Sequence, residues 1–470
     1  MKREVVSIQG LRQWGVKWWI FGGVIAFIIA TIGSTHLAMS DVLADWSTYQ
    51  SENGHSGFNG AESMINSSTA PHLKLHWTQT AAGSISTQPV EANGLVYWGS
   101  WDGYEHATNL NNNQVWTTRL GTTTNNNCYP ASVGVSSTAT VATVNGRSML
   151  FVGGGNAHMY ALDALHGTIL WSTSLGSSPD HFIWSSPLVY NGSVYIGLAS
   201  FGGCPQVQGE MFKLNAATGA VQSTWAAVPP GCIGGGISGS ATIDEAEGML
   251  YFGTGSPGRC NTFEAGSPAV IELNASTLAL VGSWTLPANQ QSSDSDFLST
   301  PTLFTTSGGT QMVGVANKNG KFYAFKRDAI SSGPVWSDQV ANSGNCPQCD
   351  TSSISPAAWD GHTLYDAGGG ITINGASCQG SVSAINPNNG DYIWRDCLTD
   401  GPVLGAVAMA PGVLVIGQGR FVMVMAASSG QTLFRYSDTN TGSAFWSGAS
   451  ISNGVIYIGN IDGRLYAFGT

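Results

Sequence analysis

The sequence predicts an all-β fold, an eight-bladed β-propeller made of four-stranded antiparallel blades. The first observation is a unit of about 40 to 60 residues that recurs along the chain, which is typical of repeat architectures. Each unit has four short segments with strand-like alternation, separated by turn residues. The second observation is an apolar segment that recurs eight times as the predicted third strand, at 104–107, 159–162, 211–214, 270–273, 322–325, 382–385, 422–425 and 465–468. Four antiparallel strands repeated around an axis form a propeller.

The third observation is an aromatic residue in every predicted outer strand. These residues are Trp77, Trp116, Trp171, Trp225, Trp284, Trp336, Trp394 and Phe434. The two series are out of phase, because outer strand 73–77 has no third strand before it and third strand 465–468 has no outer strand after it. We therefore expect the N- and C-terminal strands to complete the eighth blade together. Such closure removes the free sheet edge that invites aggregation.

The first 44 residues differ from the repeats. Four basic residues, Lys2, Arg3, Arg12 and Lys17, precede an apolar run over 18–40. This pattern predicts one hydrophobic helix that acts as a cleaved secretory signal or as a membrane anchor, and both alternatives stay open. The run is long enough to cross about 30 Å of hydrocarbon. We therefore divide the chain into a signal or anchor at 1–44 and a propeller at 45–470, and expect the propeller to lie outside the cytoplasm, either anchored or secreted.

The composition agrees with a propeller and excludes two classes of protein. The chain has 62 glycines and only 10% charged residues, as expected for short strands joined by tight turns. Its 42% hydrophobic content and 16 tryptophans can bury a large core, which excludes a disordered chain. The net charge of −11, without a basic stripe, excludes a nucleic-acid partner because phosphate must be neutralised by Lys and Arg.

The cysteines are predicted to lie on one face of the ring. If the strands of a blade are named a to d from the axis outward, the b–c turns and the d–a connections share a face, which we call the top face. All eight cysteines fall in or next to such segments: Cys128, Cys204, Cys232, Cys260, Cys346, Cys349, Cys378 and Cys397. An even number in an exported chain favours disulfides, whose pairing stays open. The Cys346-Pro-Gln-Cys349 segment is interpreted as two halves of separate bridges or as one local bridge, rather than as a zinc, redox or haem site.

Two charged residues are predicted on the top face of one blade. Asp296 comes just before the predicted innermost strand 299–303, and Lys318 precedes Asn319-Gly320, a strong hairpin-turn signal. Loops at the mouth of a propeller's channel are where function concentrates. The carboxylate can accept a proton or bind a hard cation, and the ammonium can hold an anionic or quinonoid oxygen. A structural interpretation stays open, since Asp often caps a turn and Lys beside Asn-Gly is often solvated.

The repeat unit resembles that of the PQQ-binding-like, or quinoprotein alcohol dehydrogenase-like, propeller family. Residues 161–163 (Ala-Leu-Asp), His166-Gly167 and Trp171 match the family's repeat closely. The opening segment 45–59 resembles the usual entry to such rings. The resemblance extends over nearly the whole exported part of the chain and implies the same fold.

The resemblance also assigns roles to residues of the charged pair. Segment 294–297 is similar to the segment that carries the catalytic Asp of PQQ-dependent alcohol dehydrogenases, and 317–323 to the segment whose basic residue contacts the quinone. By this resemblance Asp296 is the catalytic base and a Ca²⁺ ligand, and Lys318 binds the PQQ cofactor.

Other positions depart from the family pattern. Gly236 and Ser238 occupy the family's Gly-Gly-x-Trp segment, where they are the expected cofactor contacts, but Ser238 replaces the Trp under the quinone. Ser256 occupies the position of a metal-ligating Asn and is the second expected Ca²⁺ ligand. Cys204 stands where the family has a ligating Glu, with Glu210 as the nearest carboxylate.

Two functions therefore remain open. The first is an extracytoplasmic quinoprotein oxidoreductase that acts on a small alcohol, with Asp296 as base and an external electron acceptor, since the chain has no haem motif. The second is a non-catalytic propeller scaffold that binds a protein, peptide or glycan partner at the cell envelope. The Asp296–Lys318 pair favours the enzyme, and Ser238, Ser256 and Cys204 favour the scaffold. In both cases the membrane is contacted through the N-terminal segment if that segment is not cleaved.

Overall fold

The computed structural model describes residues 44–258, 266–292 and 294–470. The predicted N-terminal hydrophobic helix and Cys260 lie outside these ranges. Within them, no helix combines the length and the apolar character needed to cross a membrane.

The described residues form eight consecutive antiparallel blades of four strands each, which confirms the predicted eight-bladed propeller. In the third blade the short strand His181–Phe182 pairs with the second strand as a fifth member of the sheet. Blades 1 to 4 consist of strands Val90–Ala92, Leu95–Ser100, Tyr104–Asn109 and Gln114–Arg119; Thr140–Val144, Arg147–Gly153, His158–Asp163 and Ile169–Ser174; Leu188–Tyr190, Ser193–Ser200, Glu210–Asn215 and Val221–Ala226; and Thr242–Asp244, Met249–Gly253, Ala269–Asn274 and Leu280–Thr285. Blades 5 to 7 consist of Thr302–Thr305, Gln311–Ala316, Lys321–Lys326 and Trp336–Gln339; Ala358–Trp359, Leu364–Ile373, Ala376–Ile385 and Tyr392–Leu398; and Ala408–Ala410, Val413–Gln418, Phe421–Ala426 and Thr432–Ser437.

Blade 8 is completed by both ends of the propeller, as predicted. It consists of Ser450–Ser452, Val455–Gly459, Arg464–Gly469 and, as its outer strand, Lys74–Thr80. Lys74 pairs with Gly469 and Thr80 with Arg464 in antiparallel register. The remaining elements are short: strands Thr123–Thr124, Ser132–Val133 and His181–Phe182, and 3₁₀ helices Ala70–His72, Ala288–Gln290, Arg327–Ser332 and Pro347–Cys349.

The outer-strand tryptophans join neighbouring blades. The Trp116 indole N–H donates to the carbonyl of Ala164 in the next blade, at 3.0 Å. Gly167 follows with φ of +69°, and a Cβ on it would lie 2.5 Å from the Trp116 ring, so only glycine fits there. Trp171 and Trp394 make the same indole-to-carbonyl bond to the following blade. This contact explains why the repeat ends in a turn glycine and a tryptophan.

One prediction about blade 5 needs correction. Its innermost strand begins at Thr302 rather than at residue 299. Pro301 has no N–H to give to the ladder, so regular pairing starts only after it. Asp296 therefore lies in a longer connection on the top face than the sequence predicts.

Disulfides on the top face are confirmed for the described residues. The pairs are Cys128–Cys204, Cys346–Cys349 and Cys378–Cys397, and Cys232 is also disulfide-bonded. Of the two interpretations of Cys346 and Cys349, the local bridge is the one observed.

The segment that precedes the first blade closes one end of the channel. We call residues 44–59 the strap. Its backbone is hydrogen-bonded to inner strands of six blades through the pairs Trp46–Glu91, Ser47–Val141, Asn53–Ile243, Gly54–Leu303, Ser56–Trp359 and Gly57–Met409. The side chains of Asn53 and Asn59 reach the remaining blades, at the carbonyls of Val189 and Ile451. The strap thus crosses the axis at the end opposite the top face.

Candidate active site

The axial channel contains a cavity of ≈ 170 Å³. Its wall includes one residue from each blade, at equivalent positions of the repeat: Ser86, Ser136, Trp184, Ser238, Leu298, Ile354, Leu404 and Trp446. We call these eight residues the upper ring. Tyr49 of the strap also lines the cavity, so the channel is closed below and its access is from the top face.

A cluster of three charged side chains lies beside this mouth. The Lys318 ammonium Nζ is 2.8 Å from Asp294 Oδ2 and 3.2 Å from Asp296 Oδ2. The backbone N–H of Ser256, in the b–c turn of blade 4, donates to Asp296 Oδ1 at 2.5 Å. Asp296 precedes Leu298 of the upper ring by two residues, in the connection that enters blade 5 from the top face.

Backbone contacts hold the cluster in place. The Lys318 N–H donates to the Asp296 carbonyl at 3.1 Å, and the Asn317 side chain donates to the Ser295 carbonyl at 2.7 Å. Gly320 ends the turn with φ of +83°, and a Cβ there would lie 2.0 Å from the carbonyl of Ala341. The Asn-Gly turn is therefore required by the geometry, and it fixes the lysine against the connection that carries both aspartates.

The cluster separates the pKa values of its two carboxyl groups. Burial would raise the pKa of Asp296, but the Lys318 charge and hydrogen bonds from Asp294 and Ser256 outweigh it and hold that pKa below its usual value. Burial and the negative charge of Asp296 raise the pKa of Asp294 to about 6. Burial alone would lower the pKa of Lys318, but the Asp296 and Asp294 carboxylates raise it above the usual value. At neutral pH Asp296 is ionised and Lys318 is protonated, and Asp294 titrates nearest to neutrality.

The charge at Asp296 is not a feature of the repeat. The residues at the equivalent position of the other blades are Ser84, Gly134, Phe182, Gly236, Ser352, Pro402 and Ala444. Seven blades thus form the same turn without a carboxylate. A partly buried ion pair is also a poor way to gain stability. The carboxylate is therefore specific to blade 5, where it also accepts the backbone N–H of Ser256.

A family model for PQQ-type propeller repeats, described as "Outer membrane protein assembly factor BamB", matches residues 103–367 and 254–469. Together these matches extend over more than half of the chain. The chain belongs to this PQQ-repeat propeller family. The resemblance noted from the repeat residues is thereby confirmed.

Individual relatives of this PQQ-repeat propeller are more distant. A polyvinylalcohol dehydrogenase of a Pseudomonas species is 22% identical over 454 residues, covering 86% of this chain and 63% of the relative, so the chain spans less than two thirds of that relative's length. The quinohemoprotein alcohol dehydrogenase from Comamonas testosteroni superposes with a TM-score of 0.71 at 16% identity, over 91% of this chain and 80% of that one. BamB from Moraxella catarrhalis superposes with a TM-score of 0.56 at 15% identity, over 85% and 98%. At these identities the structural likeness shows the fold alone.

The residues that the sequence assigns to the site fall into two groups. Asp296, Lys318 and the backbone of Ser256 meet in the charged cluster. Ser238 lines the cavity as a member of the upper ring. Gly236 supports the cluster indirectly, because its carbonyl accepts the N–H of residue 255 at 2.8 Å and so holds the turn that contacts Asp296.

The donor set does not fit Ca²⁺, which usually takes about six to eight oxygen ligands. Oδ2 of Asp294 and Oδ2 of Asp296 both contact the Lys318 ammonium, and Oδ1 of Asp296 accepts the Ser256 N–H. Over the described ranges, no group of three or more His, Cys, Asp or Glu side chains is arranged to hold a metal ion. The Lys318 ammonium already supplies, beside both carboxylates, the positive charge that a metal cation would supply.

Three residues of the site were missed as site residues in the sequence analysis. Asp294 is two positions from Asp296, and this period-2 spacing could have placed both carboxylates on one face. Trp184 and Trp446 each come one or two residues after a phenylalanine and directly before a serine, at equivalent positions of the repeat. Aligning the starts of the innermost strands would have found both.

Proposed function

We propose that this chain is a quinoprotein-type oxidoreductase that oxidises an alcohol at the mouth of the axial channel, with Asp296 as the proton acceptor and PQQ as the electron acceptor. The observation that carries this proposal is the Asp294–Asp296–Lys318 cluster, which occurs in one of the eight described blades, on the top-face side of the axial cavity. The polyvinylalcohol dehydrogenase relative supports a substrate with secondary alcohol groups.

The groups around the channel suit PQQ chemically. The Lys318 ammonium can hold an anionic or quinonoid oxygen at the edge of the cofactor. Hydroxyl groups of Ser86, Ser136 and Ser238 in the upper ring can hydrogen-bond to its polar periphery. PQQ, when bound, would supply the acceptor for the two electrons of the alcohol's carbon–hydrogen bond.

The chain's own residues handle the proton. Asp296 is ionised at neutral pH, so it can accept the hydroxyl proton of an alcohol. Asp294 contacts the same Lys318 ammonium as Asp296 and has the higher pKa, so it can receive the proton from Asp296. Lys318 stays positively charged throughout and stabilises the negative charge that remains in the site. An external electron acceptor would be needed to return the cofactor to its oxidised form.

The pH dependence of the reaction should report the ionisation of Asp294. Its pKa of about 6 means that Asp294 is protonated below that pH and cannot take the proton from Asp296. We expect kcat for alcohol oxidation to rise about tenfold per pH unit below pH 6 and to level off above it. In Asp294→Asn this step should disappear from the pH–rate profile. A step near pH 6 that persists in the variant would show that another group titrates.

The experiment that tests the proposed function is addition of PQQ to the purified full-length chain. We expect saturable binding, seen as quenching of tryptophan fluorescence, and dye-linked oxidation of secondary alcohols, including oligomers of vinyl alcohol. Binding should not require added Ca²⁺ and should survive a chelator. Absence of saturable binding at micromolar PQQ would contradict the proposal.

A second candidate function is binding of an envelope protein, peptide or glycan on the top face, without catalysis. The likeness to BamB from Moraxella catarrhalis and the replacement of the family's Trp by Ser238 favour it. The disulfides of the top face support an extracytoplasmic location under either function. An N-terminal anchor at 1–44 remains part of both proposals.

A further inference from the structure

We infer that Trp184 and Trp446 form the stacking surface for the planar cofactor, taking over the role of the tryptophan that Ser238 replaces. The inference rests on the proposed function and names the residues that hold the cofactor flat. Both indoles belong to the upper ring and line the cavity, and both are partly exposed.

The ring has two unlike parts. Blades 5, 6 and 7 contribute aliphatic side chains, Leu298, Ile354 and Leu404. The other five blades contribute two indoles and three serines, with Trp446 in blade 8 and Trp184 in blade 3. Indoles next to hydroxyl groups suit the face of a flat, polar-edged molecule, because indole faces stack on other π systems.

The size of the cavity places such a ligand across the ring rather than beneath it. The volume of ≈ 170 Å³ is below the about 300 Å³ at which pockets for drug-sized ligands begin. We therefore place a tricyclic quinone on the upper ring, with the cavity below it. Asp296 lies two residues before Leu298 of the ring, on the top-face side, so we place the edge of such a ligand next to the charged cluster.

A hydrogen bond and aromatic packing fix the position of the Trp184 indole. Its N–H donates to the Ser200 carbonyl at 3.1 Å, and its ring lies 4.5 Å from Phe182 and 6.3 Å from Phe201, parallel to Phe201 within 8°. These aromatic residues pack with the Cys128–Cys204 disulfide. A surface fixed in advance loses little conformational entropy when the ligand binds.

Trp446 has its own neighbour at the mouth. Its ring lies 6.4 Å from that of Trp101, whose N–H donates to the hydroxyl of Ser86 at 2.9 Å. The outer-strand tryptophans, in contrast, bond to the next blade and serve packing. Trp184 and Trp446 have no such repeat role, because serine, leucine or isoleucine stands at the equivalent position in the other six blades.

The test compares PQQ binding by Trp184→Leu, Trp446→Leu and the double variant with wild type. Leucine keeps the side chain apolar and removes the π face. The control is Trp359→Leu, which removes a partly exposed indole in the innermost strand of blade 6, next to the strap. We expect the Kd for PQQ to rise about tenfold in each single variant and further in the double variant, with no change in the control. Unchanged thermal unfolding midpoints confirm that the variants fold.

The outcomes separate this inference from the proposed function. If wild type binds PQQ and the double variant binds it equally well, the inference is overturned and the proposed function stands. If wild type does not bind PQQ, both fail. Recovery of wild-type Kd in Trp184→Phe and Trp446→Phe would support stacking specifically, since phenylalanine restores an aromatic face. Failure of both phenylalanine variants to recover any affinity would contradict it.

Discussion

Replacement of Asp296 by Asn should lower kcat for alcohol oxidation by about 10²- to 10⁴-fold, the usual contribution of a positioned general base. The amide is nearly the same size as the carboxylate and can still accept the Ser256 N–H, so the turn should keep its geometry. Lys318 retains its 2.8 Å contact with Asp294, so no buried charge is left unpaired. The loss should therefore appear in kcat rather than in folding. Steady-state kinetics with the PQQ-loaded full-length chain provide the measurement.

Two controls make this result specific. Asp180→Asn removes a carboxylate from another connection on the top face and should leave kcat unchanged. PQQ affinity of Asp296→Asn should stay within a few-fold of wild type, because the aromatic surface and Lys318 are intact. An Asp296→Asn variant that retains more than half of wild-type kcat would exclude Asp296 as the base.

Most of the fold could be predicted from the sequence because the same contacts between neighbouring blades recur along the chain. The outer-strand tryptophan bonds to the next blade and packs on a turn glycine, so both residues recur and fix the count of blades. The closing of blade 8 followed from the phase of these residues at the chain ends. The strap could not be predicted in the same way. It occurs once, has no period, and is held by contacts to eight separate blades.

The site was predictable only where topology alone brings residues together. Asp296 and Lys318 belong to one blade, and the position of a turn and of a connection decides that they meet. In contrast, one blade alone does not predict that Trp184 and Trp446 line the same cavity. Their blades are far apart in sequence and are brought together only around the axis of the ring. The poor fit of this donor set to Ca²⁺ could not be predicted either, since only the observed distances show the Lys318 ammonium in contact with both carboxylates.

The largest expected effect on stability lies away from the site, at the ion pair of Arg327 with Asp244. The guanidinium Nη1 is 2.7 Å from Asp244 Oδ2, and the two side chains are only 12% and 6% exposed. The same guanidinium donates to the carbonyls of Met312 and Phe304, at 2.9 and 3.1 Å. One side chain thus ties the innermost strand of blade 4 to two strands of blade 5.

We expect Arg327→Met to lower the free energy of unfolding by about 3–5 kcal/mol, because it leaves a buried carboxylate without a counter-charge. Denaturant titration of the folded chain measures this loss. Adding Asp244→Asn to Arg327→Met should recover part of it, since the amide carries no charge to desolvate and can still accept the N–H of Ala246. The matched control is the exposed pair of Arg147 and Asp163, whose arginine is 51% exposed. Arg147→Met should cost no more than about 1 kcal/mol. Equal losses in Arg327→Met and Arg147→Met would show that the buried pair does not hold blades 4 and 5 together.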